Sequence, residues 1–261
     1  GNIEEMILRF LGTGTSTGVP QRGCGCEVCT STDLHDKRLR SSVVVTTDTG
    51  ANILIDCGPD FRQQIMNAGA PHLDCCLITH SHYDHVGGID DLRPYCRQGQ
   101  KFPIYCQDDV AGDLRSRVPY CFKEHPYPGV PAFNINIISE NEPFNIFGTE
   151  IIPLRVKHFR LDILGFRIGN LAYITDAKNV PDATIDAIEG IDTLVINALR
   201  SEEHISHMTL QQAMAIVDRV SPRVTYFTHM ADSIGLHSKV EASLPANMHL
   251  AYDNLTIEIK K

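Results

Sequence analysis

The stretch "ITHSHYDHVGG", residues 78–88, places His80, His82, Asp84 and His85 within six positions, directly after a short apolar run. Imidazoles two apart in an extended segment point the same way, so His80 and His82 can grip one ion. Asp84 and His85 turn toward a second position. Nitrogen and carboxylate donors suit zinc, manganese or iron. A histidine-rich surface loop without an ion is the plain alternative. Four ligand-type residues after a buried strand, closed by Gly87 and Gly88, argue against it. Such a run needs a fold whose strands end at a shared site, which is where sites gather on α/β sheets.

The rest of the chain supplies those strands. "MILRFLG" (6–12) reads as a strand that runs into a Gly/Thr/Ser loop, and "SSVVVTTD" (41–48) and "NILIDCG" (52–58) read as a hairpin. "DFRQQIMNAG" (60–69), "QDDVAGDLRSRV" (107–118), "PDATIDAIEG" (181–190) and "MTLQQAMAIVDRV" (208–220) carry helical signals, with Thr209 placed to cap the last. Further strands are expected at 74–79, 102–106, 134–139, 150–157, 164–168, 171–175, 192–199 and 223–229. Residues 119–133 hold four prolines and read as an irregular loop. "HLAYD" and "LTIEI" are expected to close the chain as a hairpin. Strand-rich runs with helices between them predict two sheets faced by helices.

A net charge of −9 argues against salt-driven binding to nucleic acid or an anionic membrane. A small anionic substrate remains open, because a bound metal inverts the local field. No apolar run of about 18 residues predicts a transmembrane helix. No charged segment followed by an apolar one opens the chain, so a cytoplasmic protein is expected. Its nine cysteines, the adjacent Cys75 and Cys76 among them, then read as reduced thiols.

The H-x-H-x-D-H run matches the signature of the metallo-β-lactamase superfamily, and the chain resembles that superfamily over nearly its whole length. The resemblance implies an α/β fold, a four-layer αββα sandwich, with residues 1–261 as a single domain and a dinuclear centre between the sheets. It also implies a later His, Asp and His, each at a strand end. "RVKHF" offers His158, "LAYITDAKNV" offers Asp176 and "YFTHM" offers His229. By resemblance, His80, His82 and His158 bind one divalent ion, Asp84, His85 and His229 bind another, and Asp176 bridges both. The ions are manganese or zinc, with iron as a third choice. Asp56, in "ILIDCG", stands where relatives keep a carboxylate that orients a ligand loop. A plain strand-end turn residue is its alternative reading.

Two divalent ions about 4 Å apart can hold a bridging hydroxide at neutral pH and clamp attacking and leaving oxygens. The same ligands serve thioester hydrolysis in glyoxalase II-like enzymes. Those carry a helical C-terminal extension, and this sequence ends in strand-like residues. Enzymes of the β-lactamase type proper carry Cys at the place of Asp176. "FLGTGTSTGVP" (10–20) and "SHMTLQQA" (206–213) instead resemble the phosphodiesterase branch, with its tRNase Z-like and PhnP-like enzymes. Catalysis is then assigned to Asp84 and to His207, the latter as general acid or as donor to the leaving oxygen. An exposed residue at a helix start is the alternative for His207, and His204 is the runner-up for its role. Arg200 reads as a surface arginine, with a phosphate contact as the alternative.

tRNase Z-like enzymes dock their substrate with a long basic arm. The loop 119–133 is short, and its fixed positive charge is Lys123 alone. A small phosphodiester, cyclic ribose phosphates included, is therefore the expected substrate. A tRNase Z-like nuclease, a thioester hydrolase and a non-hydrolytic metabolite-binding member are the competing readings. PhnP-like proteins also carry a structural zinc on three close cysteines and a histidine beside the last ligand. "GCGCEVC" supplies Cys24, Cys26 and Cys29, but Asp232 stands where that histidine would be. Asp232 is an acceptable fourth ligand, and a water or His237 is the alternative. The resemblance raises a homodimer, with no stretch of sequence marking its interface.

Overall fold

A computed structural model of the chain describes residues 5–96 and 100–261. The first sheet contains β1 (Met6–Gly12), β2 (Ser42–Thr46), β3 (Asn52–Ile55), β4 (Cys75–Leu77), β5 (Phe102–Cys106), β6 (Phe133–Ile137) and β14 (Thr256–Ile259), in the order β14-β1-β2-β3-β4-β5-β6. The second contains β7 (Phe144–Ile146), β8 (Thr149–His158), β9 (Leu161–Ile168), β10 (Leu171–Ile174), β11 (Thr193–Asn197), β12 (Val224–Thr228) and β13 (Met248–Leu250), in the order β13-β12-β11-β10-β9-β8-β7. Each sheet has an antiparallel part and a parallel part. β3 to β6 run parallel in the first, and β10 to β13 in the second.

Alternation along the strands builds the layers. Val43 and Val45 of β2 face the second sheet and pack with Phe10, Ile53, Phe166 and Tyr173. Val44, between them, faces the outer layer with Leu54, Phe61 and Leu114. A period of two thus sends alternate side chains to two different cores. The outer layer on the first sheet is α1 (Phe61–Asn67) and α3 (Asp108–Arg117); on the second it is α4 (Asp182–Ile188), α5 (Leu210–Val220) and α6 (His237–Ser243). The architecture is an αββα sandwich, as the sequence implies. α5 buries Leu210, Ala213, Val217 and Val220 at helical spacing. Thr209 caps it with a full capping box: its hydroxyl accepts the Gln212 amide at 3.1 Å, and Gln212 accepts the Thr209 amide at 3.0 Å.

The expected C-terminal hairpin does not form. β13 pairs parallel to β12 through Met248↔Thr225, Tyr226↔His249 and Phe227↔Leu250, whereas β14 pairs antiparallel to β1 in the other sheet. The residues between them bridge the sandwich rather than reverse the chain. Asp253 helps hold that crossing: its carboxylate accepts the Leu39 amide at 2.7 Å and the Thr13 hydroxyl at 2.8 Å. All nine cysteines are free thiols. Among the described residues no helix is long and apolar enough to cross a membrane.

Candidate active site

Four strand ends deliver the predicted ligands to one place. β4 runs into His80 and His82, and a short helix, α2 (Tyr83–Val86), carries Asp84 and His85. His158 is the last residue of β8, Asp176 lies just past β10 and His229 just past β12. Six of these seven side chains are buried; His82 alone is exposed. Packing fixes the ligand loop closely. A Cβ on Gly88 would lie 1.9 Å from the Gly58 carbonyl oxygen, so only glycine lets the two loops meet there.

The donor atoms form two groups that share Asp176. His80, His82, His158 and Asp176 each offer an atom within 4.8 Å of the others, and so do Asp84, His85, Asp176 and His229. Asp176 Oδ2 lies 3.0 Å from His85 Nε2 and 3.4 Å from His80 Nε2, and its Oδ1 lies 2.8 Å from His229 Nε2. Asp84 Oδ2 lies 3.1 Å from His85 Nε2 and 3.2 Å from His229 Nε2.

The electrostatics calls for cations. Burial opposes charge on all these groups, yet His229 and His85 hold Asp176 well below the usual carboxylate range. Burial likewise disfavours charge on His229, but Asp176 and Asp84 push it up to about 9. His80 goes the other way, down to about 4, through burial and the neighbouring His85. Protons on His85 and His229 thus balance the two carboxylates, and divalent ions binding there would displace them. A cluster of convergent nitrogens and carboxylate oxygens, nearly all buried, fits such ions.

Asp56 is fully buried under this cluster. It accepts the Thr79 amide and hydroxyl, each at 2.8 Å, and faces His85 Nδ1 at 2.5 Å. It therefore holds the ligand loop instead of ending a strand in solvent. His158 donates its Nδ1 proton to the Ser206 carbonyl at 3.0 Å, which turns Nε2 toward the cluster.

A cavity of about 420 Å³ opens over the donors, lined by His82, Asp84, His158, Asp176, His207 and His229, and also by Ser16, Arg200, His204 and Asp232. His207 stacks on His229 with ring centroids 5.1 Å apart. Burial and then His229 push its imidazole down to about 3. His204 accepts the Ser206 amide at Nδ1 (3.1 Å), so its remaining proton sits on Nε2. Arg200 lines the cavity while bracing its own loop, donating to the Glu202 and Glu203 carbonyls at 3.1 and 2.8 Å.

One contributor escapes a sequence reading. Lys178, two residues past Asp176, pairs with Glu203 and donates to the His204 and His207 carbonyls at 2.7 and 3.4 Å. It clamps the loop that presents both histidines. Nothing in "DAKNV" marks that lysine beyond its place beside a ligand.

The cysteine triplet meets Asp232. The Sγ atoms of Cys24, Cys26 and Cys29 lie 3.3, 3.4 and 3.4 Å from the same oxygen, Asp232 Oδ2. Three sulfurs and one carboxylate oxygen make a closed four-donor set that fits zinc. His237 does not join it. Its Nδ1 faces Arg38 Nη2 at 3.2 Å, and its amide donates to Asp36. The cluster is tied to the main site by backbone, since Thr15 donates to Met230 and Met230 to Thr13.

The family model for β-lactamase superfamily domains matches residues 51–230. An octanoyltransferase of Porphyromonas gingivalis is 42% identical over 247 residues, which cover 94% of this chain and 50% of that protein. The chain thus spans half of that relative's length. Coenzyme PQQ synthesis protein B of Methylorubrum extorquens is 30% identical over 76% of this chain and 74% of its own. The crystal structure of a diphosphatase from the PhnP family superposes with a TM-score of 0.90 at 36% identity, covering 98% of both chains. An αββα sandwich with these ligand groups at its strand ends defines a metallo-β-lactamase fold. The chain belongs to the metallo-β-lactamase superfamily, and within it to the PhnP-like proteins.

Proposed function

We propose that this metal-dependent hydrolase cleaves a small phosphodiester, cyclic ribose phosphates among the candidates. The observation that carries the reading is the shared Asp176. Two donor groups joined by one carboxylate form the floor of a cavity of about 420 Å³, a volume suited to a small molecule. His80, His82, His158 and Asp176 would hold one ion, and Asp84, His85, His229 and Asp176 the other. When bound, such a pair supplies a nucleophile from water at neutral pH and offsets charge on phosphoryl oxygens.

The chain's own residues do the rest. His207 stands over the donors as a neutral ring, so it serves as an N–H donor to the leaving oxygen rather than as a source of protons. His204 offers Nε2–H from the cavity lining. Lys178 keeps both in place by holding their loop. Cys24, Cys26, Cys29 and Asp232 would hold a structural zinc that ties the N-terminal loop to the segment after His229. The acidic net charge and the short loop at 119–133 favour a small substrate over a docked tRNA.

The test is a comparison of substrates and a variant. Metal-loaded protein is expected to hydrolyse bis(p-nitrophenyl) phosphate and a small cyclic phosphodiester. It is expected to leave precursor tRNA and thioesters largely intact, and His82→Ala is expected to abolish turnover. Efficient 3′ trimming of precursor tRNA, or full activity in His82→Ala, would overturn the reading.

A further inference from the structure

We infer that Thr79 is a positioning residue that sets the tautomer of His80, and that Asp56 thereby controls one histidine in each donor group. This rests on the two-ion reading above.

Asp56 is fully buried, and a carboxylate accepts hydrogen bonds without donating any. Thr79 is fully buried as well, and its hydroxyl owns a single proton. That hydroxyl lies 2.8 Å from Asp56 Oδ2, so its proton is committed there. The same oxygen of Thr79 lies 3.0 Å from His80 Nδ1. With its proton spent, Oγ1 can only accept from His80, which must carry hydrogen on Nδ1. The reverse assignment would set two lone pairs against each other 2.8 Å apart at Asp56.

His80 Nε2 is then bare, and it is the atom that faces Asp176 at 3.4 Å and His82 at 3.1 Å. His85 is fixed by the same carboxylate directly, with Nδ1 at 2.5 Å from Asp56 Oδ2 and Nε2 toward Asp84 and Asp176. Asp56 Oδ2 thus reaches one donor group in a single step and the other through Thr79. Outer partners of this kind fix ligand orientation and raise ligand basicity. Thr79 touches His80 directly and His85 only through the shared Asp56 oxygen, so its loss falls mainly on the group containing His80.

Long-range proton–nitrogen NMR correlations on zinc-loaded wild-type protein read the tautomers directly. Both His80 and His85 are expected to carry hydrogen on Nδ1. His80 with hydrogen on Nε2 would overturn the inference. Competition with a chromophoric chelator reads the consequence. Thr79→Val is expected to weaken one of the two histidine-site zinc ions by about 10–100-fold, with the other affected far less. Thr79→Ser is expected to restore both. Equal weakening of both ions, no weakening, or failure of serine to rescue would contradict it. Wild-type protein that takes up no zinc at the histidines would instead defeat the two-ion reading itself.

Discussion

His85 Nε2 lies 3.0 Å from Asp176 Oδ2, a contact that joins the ligand loop of the first sheet to a strand end of the second. Asp176 belongs to both donor groups, and among the described residues no other does. Asp176→Ala is expected to cost both ions and to lower kcat/KM by at least about 100-fold, since even outer partners of a ligand are worth 10–100-fold. Metal analysis beside steady-state kinetics checks this. A variant that keeps both ions would contradict the shared role.

The approach of Gly88 to Gly58 predicts a packing penalty. A Cβ there meets backbone at 1.9 Å, and backbone cannot swing aside as a flexible side chain can. Gly88→Ala is expected to destabilise the protein by about 3 kcal/mol, in the range of overpacking. Urea unfolding of both proteins without metal measures it. A loss under about 0.5 kcal/mol would show that the loops separate at little cost.

These two features differ in how far the sequence exposes them. The ligand run at 78–88 is legible because metal chemistry needs particular residue types close together. The layers are legible because Val43, Val44 and Val45 follow a period of two. Which strand pairs with which is a different matter. "HLAYD" and "LTIEI" look like a local hairpin, and it takes bonds to distant segments, such as those Asp253 accepts from Leu39 and Thr13, to hold them in separate sheets. The role of Asp56 stays open in sequence for the same reason, since Thr79 and His85 reach it from a distant segment. Lys178 is hidden because two of its partners are backbone carbonyls, which no residue type announces, and the third, Glu203, lies in a distant segment.

Acid should act on His237. Burial and then Arg38 push its imidazole down to about 4 from the ordinary 6.5. Unfolded chain therefore takes up the proton first as pH falls. The stability that this neutral histidine contributes is present above about 6.5 and is lost progressively down to about 4. By about pH 5 the loss is on the order of 2 kcal/mol. His237→Gln removes that component. Between about pH 7.5 and 5, wild type is expected to lose roughly that much more stability than the variant. Equal losses would contradict the assignment.

The cysteine cluster predicts a zinc count. Asp232→Ala is expected to bind one zinc fewer per chain while keeping the ions at the histidines. Asp232→His, which places a nitrogen donor at that position, is expected to hold the zinc at least as tightly as wild type. Unchanged zinc content in Asp232→Ala would remove the carboxylate from the donor set.

The proposed activity is hydrolysis of a small phosphodiester driven by a pair of divalent ions on these seven residues. Its most direct measurement is turnover of bis(p-nitrophenyl) phosphate by chelator-stripped protein titrated with manganese or zinc. Activity is expected to be absent in the stripped protein and to rise to a plateau when two ions per chain occupy the histidine centre. Full turnover without metal, or none at saturating manganese and zinc, would contradict it.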